Sequence, residues 1–245
     1  MADSKPEVAN SERDTAACDA AFAALKTYDA GSARAALLPI DQAVAAVTDS
    51  HPACTQLEKR LLSALEAGGS AVAREYICSK LTLLGSVSAV PALVAQLDDA
   101  RVSTAARTAL DAIPDKAVSK ALGKKLPAAR GLAKIGIINS LAARRDPGAA
   151  SALADCLGDA DPQVAVSAAA ALGEIGTAKA ARILRQRFLR TPESLRRNLA
   201  DALLVCAERL RAQNRRSEAS ALLKLLLTPG QPAYIQQAAE SALRS

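Results

Sequence analysis

The chain is poor in the residues that usually do chemistry. It has 245 residues but a single histidine, no tryptophan and an aromatic content of 2%, made up of Phe22, Tyr28, Tyr76, Phe188 and Tyr234. One histidine, His51, cannot by itself assemble a typical zinc site. A Cys–His nucleophile would have to pair His51 with Cys54, three residues on. We read His51 as a surface-turn residue beside Pro52. Neither GxGxxG nor GxxxxGK[ST] occurs, so no phosphate-cradling loop is present, and Gly68–Gly69–Ser70 reads as a helix break with an N-cap. No apolar run approaches the ~20 residues that span a bilayer. The start, MADSKPEVANSERD, lacks the basic and apolar regions of a signal peptide. We therefore expect no enzymatic activity, no cofactor, no metal and no membrane insertion.

The five cysteines, Cys18, Cys54, Cys78, Cys156 and Cys206, are 36, 24, 78 and 50 residues apart, so no CxxC occurs. Each sits in an apolar helical pattern. Buried free thiols are the expectation, which favours a reducing, cytoplasmic compartment. An exported protein whose leader has been removed is the alternative.

What the chain has in abundance is Ala and Leu. Half of it is hydrophobic, and these are strong helix formers. A pattern recurs: an apolar helix ending in Leu, a turn with Asp, Pro or Gly, and a second helix reaching another Leu. Leu97, Leu126, Leu157, Phe188 and Leu226 mark the first positions, at intervals of 29, 31, 31 and 38. Leu110, Leu141, Leu172, Leu203 and Leu243 mark the second. A period near 30 fits two short helices and two turns. Asp146–Pro147, Asp161–Pro162 and Thr191–Pro192 read as N-cap followed by first helical residue. Gly85, Gly158 and Gly176 read as left-handed helix ends. Pro39 and Pro91 either kink a helix or start one.

The spacing predicts an all-α fold of about seven antiparallel pairs over 14–48, 52–85, 88–113, 115–144, 147–174, 177–212 and 215–244. Residues 1–11 are expected to be a disordered tail, and 12–245 a single solenoid. Over the helix from Ser194, Leu195, Leu199, Leu203, Cys206 and Leu210 share one face. Residues 165–172 are apolar almost all round, as suits a helix buried in a stack.

The stretch DADPQVAVSAAAALGEIG (159–176) resembles the HEAT-repeat family, most closely its short bacterial form, the PBS-lyase HEAT-like repeat. Weaker copies are DDARVSTAARTALDAIP (98–114) and GLAKIGIINSLAARRDP (131–147). The resemblance implies a right-handed α-α superhelix with its second helices on the concave face. It implies little about activity, since members of the family include adaptors, proteins implicated in bilin attachment and a branch that excises alkylated DNA bases. No motif of that branch is matched here.

Charge supplies the one functional signal. Residues 1–122 hold 12 Lys/Arg against 15 Asp/Glu, and residues 123–245 hold 19 against 10. Ten arginines fall between 182 and 216, opposed by Glu193, Asp201 and Glu208. Guanidinium groups grip carboxylate or phosphate at two points. A solvated face that keeps an Ala-rich chain dispersed is the plain reading. The functional reading is a protein-interaction scaffold whose concave second helices bind an acidic protein, with Arg130, Lys134, Arg144, Arg145, Arg196 and Arg197 as the contact residues. A nucleic-acid-binding protein is the alternative, and a bilin lyase-like or enzyme-associated subunit the third. Asp98–Asp99 and Asp159/Asp161 read as turn and capping residues.

Overall fold

The computed structural model describes residues 5–47, 51–191 and 193–244, with side chains of 14–47, 52–191 and 196–244. Among them are fourteen α-helices and no strand. The fold is an all-α solenoid of antiparallel pairs. The chain divides into two compact units, 1–118 and 119–245.

In the first unit α1 (Lys5–Ala24) pairs with α2 (Leu38–Ala46), and α3 (His51–Glu66) with α4 (Ala71–Leu84). Next, α5 (Val90–Ala95) pairs with α6 (Ser103–Ala112). Helix α7 (Lys116–Lys125) leads into the second unit, which continues with α8 (Gly131–Arg144), α9 (Ala150–Cys156) and α10 (Pro162–Ile175). It ends with α11 (Ala178–Arg190), α12 (Glu193–Ala212), α13 (Arg216–Leu226) and α14 (Ala233–Arg244). These bounds reproduce the seven predicted pairs to within a few residues. The exception is α1, which extends through most of the segment expected to be disordered; residues 1–4 lie outside the described residues. A helix anchored by buried Cys18 and Ala21 propagates cheaply, one bond per residue. The first proline it meets toward the N-terminus is Pro6, in its first turn, where proline is tolerated.

Nine of the ten landmark residues are buried, and Leu243 is half-buried. Burying a leucine fully contributes about 1.5–3 kcal/mol, and here each does so only because adjacent pairs cover it. Helix α10 shows why: it packs on α8, α9, α11 and α12. In the second unit the second helices of successive pairs approach one another more closely than the first helices do. Small residues permit this. A Cβ added to Gly173 of α10 would lie 2.8 Å from the Ala202 carbonyl oxygen of α12.

Punctuation follows the expected chemistry with three corrections. Asp146 and Asp161 accept from Gly148 and Gln163 N–H at 2.8 and 2.9 Å, and Ser70 accepts from Ala73 N–H at 3.0 Å. Pro39 and Pro91 sit in first turns and so start helices. Thr191 is the C-cap of α11: its hydroxyl donates back to Arg187 C=O at 2.8 Å. Pro192 lies outside the described residues. Of the three glycines expected to be left-handed, only Gly176 is (φ 58°), while Gly85 has φ −63°. Gly158 is absent from the positive-φ residues, whereas Arg145 (φ 48°) and Asn214 (φ 61°) take left-handed geometry that the sequence did not signal.

Candidate partner-binding surface

The sequence of α11, AKAARILRQRFLR, sorts its residues by face. Ala180, Ala181, Leu184 and Phe188 are buried, one to four residues apart along one stripe. The opposite stripe carries Lys179, Arg182, Arg185, Gln186, Leu189 and Arg190, all exposed. Thr177 sets the helix start by accepting from Ala180 N–H at 3.2 Å. Arg187 and Arg190 lie in the last turn, where cations oppose the negative end of the helix dipole.

Arg182, Arg185 and Arg190 form no hydrogen bond or ion pair with any described residue. Neighbouring α13 adds exposed Arg216 and Lys224, and α7 adds exposed Lys120 and Lys124. On these first helices of the second unit the opposing acids are few. Asp155 of α9 is exposed, and Glu218 of α13 is held by Arg215 at 2.6 Å. The outward faces of α7, α11 and α13 are therefore cationic and largely uncompensated, whereas α9 carries no cation.

The six residues predicted as contacts behave differently from one another. Lys134 is buried, its Nζ 2.6 Å from Asp159 Oδ2. That hydrogen bond, with a second from Asp161 N–H, holds the Asp159 carboxyl below its usual range. Arg144 is half-buried and its Nε donates to Ser119 Oγ at 3.2 Å. Arg196 is half-buried, donates to Thr191 C=O at 3.1 Å and lies 6.0 Å from the Phe188 ring centroid. These three fasten the unit together. Arg130 is exposed but its Nη1 is turned onto the Pro127 and Ala129 carbonyls. Arg145 reaches Glu174 at 3.4 Å, and Arg209 reaches the same oxygen at 2.7 Å. Arg197 is exposed, 6.0 Å from the Tyr234 ring, whose hydroxyl donates to Asp201 at 3.1 Å. The second helices thus expose a mixed surface of Leu132, Asn139, Ala143, Ala170, Arg197, Asp201 and Glu208, not an arginine face.

The first unit contains its own paired cations. Arg74 donates to Asp99 at 2.6 Å and to Gln96 at 2.9 Å. Asp41 accepts from Tyr76 Oη, and Lys80 and Arg34 each lie within 2.9 Å of it. Burial opposes ionisation of Asp41, but the donated hydrogen bonds prevail and lower its pKa. Burial and the Asp41 carboxylate push the Tyr76 hydroxyl up. Among the described residues no group of three or more His, Cys, Asp or Glu could hold a metal, and no helix is long and apolar enough to cross a membrane.

The profile of the HEAT repeats family matches residues 119–204, which begin at the first residue of the second unit. Residues 119–204 are thus similar to HEAT repeats. Among solved structures, human deoxyhypusine hydroxylase in complex with glycerol is similar at 17% identity, with a TM-score of 0.36, covering 96% of this chain and 97% of that one. Two engineered proteins are similar at 21% and 20% identity, with TM-scores of 0.43 and 0.42. They cover 84% and 95% of this chain, and 95% and 73% of their own. A comparison with curated proteins found no match. The basic stripe of α11 lies wholly within the matched residues.

Proposed function

We propose that the chain is a non-enzymatic interaction scaffold that takes an acidic protein segment on the outward face of α11. The observation that carries this reading is the division of labour among the cations. Lys134, Arg144 and Arg196 are committed to internal partners, whereas Arg182, Arg185 and Arg190 share one exposed stripe with none. Guanidinium forks there are free to meet carboxylates in pairs. The docking face accordingly moves from the second helices to the first. The repeats are further taken as the PBS-lyase HEAT-like type, on the Asp-Pro turn and Ala-rich second helix of 159–176. The free thiols favour a reducing, cytoplasmic compartment for the working protein.

The test is titration of wild type and an Arg182→Glu/Arg185→Glu variant with a polyglutamate peptide and a DNA duplex. The expected result is peptide binding that the variant loses, with an unchanged melting temperature. Duplex binding with a steep salt dependence, in the absence of peptide binding, would replace the reading with a nucleic-acid one. Equal peptide binding by both proteins would refute the site.

A further inference from the structure

The first unit contains a groove that the scaffold reading does not use. It is an open cleft of about 730 Å³ between the last turns of α1 and the C-terminal half of α3. That volume falls within the roughly 300–1,000 Å³ of small-molecule sites. Phe22, Ala23, Ala64 and Ala67 give it apolar walls, and the Gly68–Gly69 turn lies at one end. Small residues on both helices leave the space open. The alanines at 23, 64 and 67 are too short to cross from one helix to the other.

Arg60 organises one wall. Its guanidinium lies over the Phe22 ring, 4.2 Å from the centroid, and its Nη2 is 2.6 Å from Asp19 Oδ1. The acid and one cation of the groove therefore satisfy each other. Lys26 and Lys59 remain, both exposed and without an ion-pair partner among the described residues. Gln56 and Ser63 add neutral polar groups to the lining. The result is an apolar cleft with two uncompensated positive charges in a unit whose overall charge is negative.

We infer that this groove binds a small amphiphilic anion, a carboxylate or sulfonate on an apolar body. The body lies against Phe22, Ala64 and Ala67, while the anionic head meets Lys26 and Lys59. A neutral ligand of the same shape leaves both lysines unanswered. A highly charged ligand without an apolar body leaves the alanine walls wet. The site is separate from the α11 stripe and lies in the other unit.

The probe is anilinonaphthalene sulfonate, followed by fluorescence and displaced with octanoate or with octan-1-ol. Wild type is expected to bind saturably, with octanoate displacing the dye at least roughly tenfold more effectively than octan-1-ol. Lys26→Glu/Lys59→Glu should weaken dye binding at least roughly tenfold, since both substitutions are on exposed side chains and reverse the charge that attracts the head group. Ala64→Phe, which fills the cleft, should abolish binding. Arg182→Glu/Arg185→Glu should bind as wild type, which separates this site from the basic face of the second unit. Undiminished binding in the lysine variant, loss in the α11 variant, or equal displacement by octan-1-ol would overturn the proposal.

Discussion

Lys134 of α8 binds Asp159, in the turn between α9 and α10, at 2.6 Å, and Arg74 of α4 binds Asp99, in the turn between α5 and α6, at the same distance. Both pairs are separated by 25 residues. In both, the other carboxylate oxygen accepts a backbone N–H two residues on, from Asp161 and from Arg101. A cation on one second helix thus clasps the turn of the next pair and sets the register between neighbours.

These clasps make stability pH-dependent. Asp159 is held below the usual carboxylate range first by the Lys134 hydrogen bond, and Asp99 first by the Arg101 backbone N–H. A depressed native pKa means that the unfolded chain takes up protons first. The stabilisation is complete above the unfolded value of about 4 and is lost as pH falls through the native value. The urea midpoint should be level near neutrality and drop on acidification below about pH 4. Lys134→Met should lower the midpoint at neutral pH and shrink the acid loss. An acid profile identical to wild type would contradict the clasp.

Two glycines should respond in opposite directions. Gly173→Ala drives a methyl to within 2.8 Å of the Ala202 carbonyl oxygen, so α10 and α12 must move apart at a cost of about 1–3 kcal/mol. Gly123→Ala, inside α7, meets nothing nearer than the Ala152 Cβ at 3.9 Å. It should raise stability by about 0.5–1 kcal/mol through helix propensity alone. Denaturant midpoints with unchanged slopes would check both.

The cations first expected to bind a partner divide by stability. Arg144→Ala removes the charged donor to the buried Ser119 hydroxyl and should cost about 1–3 kcal/mol. Arg197→Ala, on an exposed side chain, should stay within about 0.5 kcal/mol of wild type. Thermal unfolding of the two single variants is the measurement.

Thiol labelling should follow burial. Cys78 and Cys206 are pushed up to about 12 by burial, so at about pH 8 almost no thiolate forms there. Cys18 and Cys156 are buried and shifted the same way. Cys54 is half-buried. A native-state thiol reagent should label Cys54 first, Cys54→Ser should remove that fast phase, and urea should release the other four.

The helix pairs were readable because nine of the ten landmark residues recur at positions the stack buries, and both Asp-Pro turns cap where they stand. What escaped was pairing across repeats. Lys134 looked like a surface lysine, and only the fold brings Asp159 to it. Arg145 adopts left-handed geometry with no glycine to announce it. The α11 stripe was present in the sequence as a run of arginines, but nothing in the sequence said which of them the fold leaves without an internal partner. Which arginines are free depends on who sits opposite, and a one-dimensional count of charge carries no such information.

The contact between Gly173 and Ala202 has a mechanical consequence. Where the α10 backbone lies this close to α12, the two helices cannot approach further at that point without displacing main-chain atoms. Residue 173 therefore sets the separation of α10 and α12, and any side chain larger than hydrogen would set a wider one.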